Sequence, residues 1–307
     1  MKRSQALIFS AALLGVAGCS GSVGTTPTPG PSGPPPPPTN AIQHIVIMVQ
    51  ENRSFDNVFA GYPGADTTMQ GPCTPNPWCK GSHIVNLRAI KLATGGGPLF
   101  GKDIDHSHHA FVVECNANSR GVCQNNGFNL IRFGQSGQLL PAKLYPYAYI
   151  DRAETKPYWT LASQYTLADQ TFFDDTASSF IAHQIIIAGS AKINANESLT
   201  DQPPTQPWGC DAPPGTQTPI ILKNGTVRTN GPFPCFSYGT MADLLDAKGV
   251  SWLFYVDSAF GKGSDFSGGV WNGYRAIHKI FYGPDWKTNI SSPNTSVFND
   301  IKGGTLP

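Results

Sequence analysis

Three short segments of the sequence carry residue types that catalysis or metal binding requires. In the first, Glu51 and Asn52 come directly after the apolar run Ile42–Val49, which predicts a strand buried on both faces. Ligands of open α/β sheets lie beyond the carboxyl ends of the strands, so this pair is well placed to bind one. A carboxylate and an amide supply the oxygen ligands that a divalent metal ion takes. A polar strand end that meets solvent is the competing interpretation.

The second segment, Asp103–His109, contains three histidines and two carboxylates. A histidine can bind a metal ion, donate a hydrogen bond to a phosphate, or transfer a proton near neutral pH. We select His106, because the preceding Asp105 can orient its ring. For His108 and His109 a solvated loop explains the pattern as well.

The third segment is the pair Ser178-Ser179, which precedes the apolar run Phe180–Ala188 and predicts the start of a helix. A hydroxyl there lies among the N–H groups and the positive end of the helix dipole, which favour bound phosphate. Beside a metal ion such a hydroxyl can act as a nucleophile. A simple helix cap explains the serines equally, and a turn explains Asp174 and Asp175, which are otherwise further candidate ligands.

Strands and helices alternate along the chain, which predicts a layered α/β fold to position these segments. A second buried strand is predicted at Val250–Val256, and Tyr165–Phe173 has a strand-like or extended pattern. Long Gly- and Pro-rich loops are predicted at 62–127 and 200–235. The predicted helices are Pro157–Gln164, Phe180–Ala188, Met241–Lys248 and Tyr274–Phe281.

The composition excludes one function class and supports a folded domain. The net charge is +1, with 21 Lys and Arg against 20 Asp and Glu, which removes the electrostatic case for a nucleic-acid binder. Hydrophobic residues make up 40% of the 307 residues, which is enough for a sizeable core.

The N-terminal 40 residues have the pattern of a bacterial lipoprotein leader and tether. Residues 1–18 contain Lys2 and Arg3 followed by a short apolar run, and Val16-Ala17-Gly18-Cys19 resembles a lipobox. An ordinary signal peptide with a chance cysteine is the alternative. Residues 19–40 then form a Pro-rich linker, and 41–307 form the folded domain. We expect export, with Cys19 lipidated and anchoring the chain to the membrane of the cell envelope, in the periplasm or at the outer surface.

Six cysteines remain after Cys19, and an even number in an exported protein predicts disulfide bonds rather than metal thiolates. Sequence proximity favours the pairs Cys73–Cys79, Cys115–Cys123 and Cys210–Cys235, although six cysteines allow fifteen pairings.

Several of these segments together resemble one known family. The string from Ile42 through Glu51-Asn52-Arg53-Ser54-Phe55-Asp56 is similar to the bacterial phosphoesterase family that includes phospholipases C and acid phosphatase A, in the alkaline-phosphatase-like superfamily. The resemblance extends over essentially everything from residue 42 onward. Further similar blocks are Asp105-His106-Ser107, Tyr158–Phe173, Ser179–His183, Leu244–Tyr255 and Tyr274–Pro307.

The resemblance implies an α/β/α sandwich that hydrolyses phosphate esters or phospholipids through a covalent phosphoenzyme. It implies Ser179 as the nucleophile, Glu51 as a ligand of a divalent metal ion, and Asn52 as a contact to metal or phosphate. It implies that His106 stabilises the phosphate or the leaving group. Ile181 stands where the family commonly has proline.

The family pattern continues beyond the point that matches Pro307, with further histidines and an Asp-Asp pair before Trp-Gly-Gly. We therefore expect this chain to be C-terminally incomplete, with an incomplete metal site. Two alternatives to a metal-dependent phosphoesterase follow. One is a non-catalytic surface lipoprotein that retains the fold as a binding module. The other is a Ser-His carboxylesterase using Ser179 with His106 or His183, which the absence of a Gly-x-Ser-x-Gly elbow disfavours.

Overall fold

The computed structural model describes residues 42–81, 83–92, 103–134, 142–173, 176, 178–257 and 272–307. The chain divides into two units, residues 1–45 and 46–307, and only 42–45 of the first unit are described. The predicted signal peptide, Cys19 and the Pro-rich linker lie outside the described residues, as do Asp174 and Asp175. No helix in the described ranges is long and apolar enough to cross a membrane.

The described chain is a mixed α/β structure, which confirms the predicted α/β class. Its strands are short and form four small sheets among the described residues, two of which are parallel pairs. The sheets are β1 (Gln70–Pro72) with β2 (Ile84–Asn86), β3 (Arg88–Ile90) with β4 (Ala148–Ile150), the antiparallel β5 (Lys192–Asn194), β6 (Glu197–Leu199), β7 (Ile220–Leu222) and β8 (Val227–Arg228), and β9 (Phe254–Tyr255) with β10 (Ile290–Ser291).

Three of the four predicted helices are present: Phe180–Ala188 and Met241–Lys248 agree with the structure to within one residue, whereas the helix predicted at Pro157–Gln164 begins earlier, at Arg152. The fourth, Tyr274–Phe281, divides into a 3-10 turn at Gly273–Ala276 and a helix at His278–Tyr282. Two more short helices lie at Asp285–Thr288 and Val297–Gly303. The described helices that precede these along the chain are α1 (Phe55–Phe59), α2 (His108–Cys115), α3 (Arg152–Gln164), α4 (Ser179–Ala188) and α5 (Met241–Ala247).

The prediction of a buried first strand at Ile42–Val49 was wrong. None of these residues is in a strand, and all are exposed, with Ile42 at 81% and Ile47 at 82% of their surface accessible. A strand needs a neighbour for its N–H and C=O groups, and no described strand pairs with this segment. The second predicted strand is shorter than expected, β9 only, and Tyr165–Phe173 contains no strand.

Helix α4 lies in the main hydrophobic core. Its residues Phe180, Ile181, Gln184 and Ile187 are buried, at the spacing of one helix face. The apolar ones pack in a cluster with residues of the C-terminal half, such as Phe236, Trp252, Tyr274, Ile277 and Ile280. The opposite face, which begins with Ser179, is less buried. Gly189 ends the helix in the left-handed conformation that glycine adopts without strain.

All three predicted disulfide pairs form: Cys73–Cys79, Cys115–Cys123 and Cys210–Cys235. They close loops of very different length, because the sequence separation is 6 for the first pair and 25 for the last. The last bond also fixes residue 210, whose N–H donates to the Arg275 carbonyl at 2.9 Å.

Removal of the Cys210–Cys235 bond is expected to cost more stability than removal of the Cys73–Cys79 bond. In the chain-entropy treatment the unfolded chain gains more freedom when the longer loop opens. The double serine variants should lower the free energy of unfolding by about 3.5 and about 2 kcal/mol respectively. Denaturant unfolding under oxidising conditions measures both, and an equal or reversed order would contradict the expectation.

Candidate active site

The position of α4 is set by a buried polar contact rather than by apolar packing alone. The fully buried side chain of Gln184 donates from Nε2 to the Gly273 carbonyl at 3.1 Å, and its Oε1 accepts from the Tyr238 hydroxyl at 2.6 Å. A Cβ at Gly273 would lie 2.8 Å from the His183 carbonyl oxygen, so glycine permits this close approach. These contacts hold the middle of α4 against the 3-10 turn Gly273–Ala276.

Ser179 is the first residue of α4 and is partly exposed, while Ser178 is the N-cap and is buried. The Ser178 side chain makes no capping hydrogen bond to the helix. The first turn of α4 therefore presents N–H groups and the positive helix end beside the Ser179 hydroxyl, an arrangement suited to a phosphate group. The structure agrees with the predicted helix start at this serine pair.

Glu51 lies against α4, one helical turn from Ser179. The Glu51 carboxylate oxygen Oε2 lies 3.1 Å from Nε2 of His183, and both side chains are largely buried, with 26% and 12% of their surfaces accessible. His183 follows Ser179 by four residues, so the two side chains lie on one helix face. The structure thus brings the predicted ligand Glu51 and the predicted nucleophile Ser179 to the same part of α4. Asn52 is exposed.

His106 is held by a carboxylate, but not by the predicted one. Its Nε2 lies 3.1 Å from Oδ2 of Asp103, whereas the buried Asp105 accepts the Ser107 backbone N–H at 3.0 Å. Asp105 is therefore committed to the turn that precedes α2, and the expected Asp105–His106 orientation was wrong. The hydrogen bond to Asp103 raises the pKa of His106, and the charges of Asp103, Asp105 and Glu51 act in the same direction against burial.

The His106–Asp103 pair is expected to stabilise the fold in a defined pH range. The pKa of His106 is raised above 6.5, so its contribution is complete below about pH 6.5 and is lost as pH rises through the folded-state value. The pKa of Asp103 is lowered below 3.8, mainly by the hydrogen bond to His106, so its contribution is lost as pH falls through the folded-state value.

The Asp103→Asn variant should therefore lower the pKa of His106, measured from its imidazole proton resonances during a pH titration. It should also reduce stability mainly between about pH 4 and pH 6.5. Asp300→Asn, which removes a carboxylate that accepts from Tyr255, is the control and should leave the His106 titration unchanged. An unchanged His106 titration in Asp103→Asn would contradict this assignment.

The segment that carries His106 is connected to the segment that carries Ser179. Nδ1 of His108, the first residue of α2, lies 2.7 Å from the Thr176 carbonyl oxygen. Because a carbonyl only accepts, this contact requires the proton on Nδ1. The backbone N–H of His108 donates to both carboxylate oxygens of Asp201, at 3.3 and 3.2 Å.

A small cleft opens beside Glu51. It has a volume of about 130 Å³ and is lined by Glu51, Arg53, Ile150, Thr155 and Tyr158 among others. Carboxylates and a guanidinium group contribute to its lining, so it is a partly polar surface cleft rather than a closed apolar cavity.

The described residues do not complete a metal site. Glu51 and Asn52 provide oxygen donors of the type that Mg²⁺, Ca²⁺ or Mn²⁺ takes. However, no three His, Cys, Asp or Glu side chains come together in the described ranges in a group that could hold an ion. Two adjacent donors fall short of the six or more ligands that such ions require.

Sequence reasoning missed three residues that form contacts around the predicted site residues. Asp103 was grouped with the other polar residues of its segment, and His183 was considered only as an esterase base. Asp201 was not selected at all. For His183 the sequence does contain a signal, because a spacing of four residues from Ser179 places the two side chains on one helix face. Nothing in the sequence relates Asp201 to residues almost a hundred positions earlier.

Comparison with models of known families identifies a family for this chain. The model of a family described as the Phosphoesterase family matches residues 42–307, which is most of the chain. No curated protein matches the chain.

Proposed function

The chain belongs to the phosphoesterase family, and we propose that it is a metal-dependent phosphoric ester hydrolase of the phospholipase C or acid phosphatase type with Ser179 as its nucleophile. The single observation that carries the proposal is the placement of Ser179 on the first turn of α4, one turn from the Glu51–His183 pair. A phosphate at this helix end would be stabilised by the N–H groups and the helix dipole while the hydroxyl lies beside it.

The residues of this chain support a two-step reaction. The Ser179 hydroxyl would give up its proton to water as its oxygen displaces the alcohol from phosphorus and forms a phosphorylated serine. Water then breaks the new serine–phosphorus ester bond, which regenerates Ser179 and releases phosphate from a monoester or the phosphorylated head group from a phospholipase C substrate. His106, kept protonated towards neutral pH by Asp103, is suited to stabilise the phosphate or to give a proton to the leaving oxygen. Glu51 holds the His183 ring on the same helix face.

The requirement for a divalent ion is part of the proposal. When bound, such an ion would polarise the phosphate oxygens and favour the ionised serine. Family membership supports it, and Glu51 and Asn52 are the candidate ligands. The donors among the described residues form only part of a coordination set.

The test is an assay of the purified chain on p-nitrophenyl phosphate, p-nitrophenyl phosphorylcholine and p-nitrophenyl acetate. We expect turnover of a phosphate ester and little turnover of the acetate. Hydrolysis of the acetate alone would favour the Ser-His carboxylesterase, and preference between the two phosphate substrates distinguishes phosphatase from phospholipase C.

Removal of divalent ions with EDTA should abolish this turnover, and added Mg²⁺, Mn²⁺ or Ca²⁺ should restore it. Glu51→Gln should require a higher metal concentration and turn over at least about tenfold more slowly, because one charged ligand becomes neutral. Glu197→Gln, which changes a carboxylate in the β5–β6 hairpin, is the matched control. Full activity in EDTA would contradict the metal requirement.

A second candidate function is binding of phosphate esters without turnover. The observation that favours it is the lack, in the described part of the chain, of a group of three metal-binding side chains. Binding of p-nitrophenyl phosphate measured by calorimetry, without release of p-nitrophenol at any metal concentration, would support this candidate.

We also propose that the protein is exported and lipid-anchored through Cys19 to the cell envelope. The lipobox-like Val16–Cys19 and the Pro-rich residues 19–40 support this localisation. The three disulfide bonds are typical of exported proteins. Radiolabelled palmitate should be incorporated into the protein in cells and be absent from the Cys19→Ser variant.

A further inference from the structure

We propose that Asp201 is a positioning residue that holds the His106 segment against the N-terminus of α4, and so sets His106 relative to Ser179. The inference rests on the proposed function, because it concerns the geometry of the same site. Asp201 itself has no role in bond formation or cleavage.

Asp201 is anchored to a part of the fold that does not belong to either segment. It follows β6, which pairs on both sides with β5 and β7. The N–H of the preceding residue Thr200, which is buried, donates to the Pro219 carbonyl at 3.1 Å. The carboxylate therefore projects from a hydrogen-bonded sheet and can act as a fixed point.

The Asp201 carboxylate forms hydrogen bonds with the first residue of α2. Both of its oxygens accept the backbone N–H of His108, which lies two residues after His106. A carboxylate at the N-terminus of a helix also interacts favourably with the helix dipole. The position of the chain at His106 is thus coupled to Asp201.

The same carboxylate also lies beside the start of α4. The Ser178 hydroxyl forms no hydrogen bond, but it is near enough to Asp201 to lower the pKa of that carboxyl group. Ser178 is the N-cap of α4 and directly precedes Ser179. The contact between the His108 ring and the Thr176 carbonyl joins the two segments a second time.

The groups around Asp201 shift the pKa of its carboxyl group in opposing directions. Burial raises the pKa of its carboxyl group, and the neighbouring Asp105 carboxylate acts in the same direction. The His108 N–H, the His108 ring and the Ser178 hydroxyl oppose this shift. Asp201 is partly buried, accepts the backbone N–H at the start of α2, and lies near the start of α4, so it can fix the relative placement of the two helices.

The test compares kcat and KM for p-nitrophenyl phosphate in Asp201→Ala, Asp201→Asn and His106→Ala. Asp201→Ala should lower kcat by about tenfold or more with KM changed less than about twofold, because the reacting groups lose their alignment. In the His106→Ala background the same substitution should have an effect of less than about twofold. Asp201→Asn keeps an acceptor oxygen for the His108 N–H and should recover most of kcat.

An equal loss of kcat in both backgrounds would overturn the proposal, because it would show that Asp201 does not act through His106. Asp243→Ala is the matched control, since Asp243 also accepts a helix-start N–H, that of Thr240, but lies in the first turn of α5. It should lower stability and leave kcat unchanged.

Amide hydrogen exchange separates failure of this inference from failure of the proposed function. If the wild-type chain hydrolyses no phosphate ester, the proposed function fails, and exchange rates still test the positioning. Asp201→Ala should speed exchange both at 107–110 and at 178–182. Faster exchange at 107–110 alone would overturn the proposal.

Discussion

Replacing Ser179 with alanine is expected to abolish hydrolysis of p-nitrophenyl phosphate, with a loss of kcat of about a thousandfold or more. The substitution removes the only atom that forms the covalent bond in the proposed first step. Alanine is a strong helix former and the site is partly exposed, so α4 should retain its position in the core. The residual binding of phosphate at the helix N-terminus should be preserved. Initial-rate kinetics with the purified variant measure the loss.

Ser190→Ala is the matched control for this experiment. Ser190 follows α4 at its other end, where its hydroxyl accepts the Lys192 N–H at 3.1 Å. It should retain wild-type kcat and lose only the modest stability of one exposed hydrogen bond. Retention of more than about one tenth of kcat in Ser179→Ala would contradict Ser179 as the nucleophile.

Arg275→Ala is expected to lower the free energy of unfolding by about 3 kcal/mol. The Arg275 side chain is 1% exposed and donates from Nε and Nη2 to the two carboxylate oxygens of Asp211, at 3.0 and 2.6 Å. Its removal leaves the Asp211 carboxylate without this partner. It also leaves a cavity beside Gly209, because the Arg275 side chain lies only 2.6 Å from the position that a Cβ atom on residue 209 would occupy. The 3-10 turn that contains Arg275 packs on α4, so the effect should extend to the candidate site.

Lys279→Ala is the comparison variant, and it tests whether burial of the ion pair causes the large loss of stability expected for Arg275→Ala. Lys279 pairs with Asp243 at 2.6 Å, but the two side chains are 61% and 32% exposed. An exposed ion pair contributes about 0 to 1 kcal/mol, because water screens the charges and the side chains lose freedom. Chemical denaturation of both variants should separate them clearly. Similar losses in the two variants would contradict the argument.

Local features of the fold could be predicted from the sequence because they depend on neighbouring residues. The helix start at Ser179 follows from a polar pair before an apolar run, and the three disulfide pairs follow from proximity along the chain. The mixed α/β class follows from the alternation of such segments.

Features that depend on distant residues could not be predicted. The apolar pattern of Ile42–Val49 indicates a strand, but a strand forms only where a partner strand is present. The Glu51–His183 contact joins residues 132 positions apart, and Asp201 reaches His108 across 93 positions. In the His106 segment, Asp103 rather than Asp105 is the partner, because the turn before α2 takes the Asp105 carboxylate for a backbone N–H.

The most direct test of the central claim is the identification of the phosphorylated residue during turnover. The chain is incubated with p-nitrophenyl phosphate and divalent metal, quenched in acid and mapped by mass spectrometry. If Ser179 is the nucleophile, we expect a phosphoryl group on the peptide that contains Ser179. The corresponding peptide of Ser179→Ala should carry no phosphoryl group. Turnover accompanied by a phosphoryl group on His106 or His183, or by no phosphorylated peptide at any time of quenching, would contradict the account.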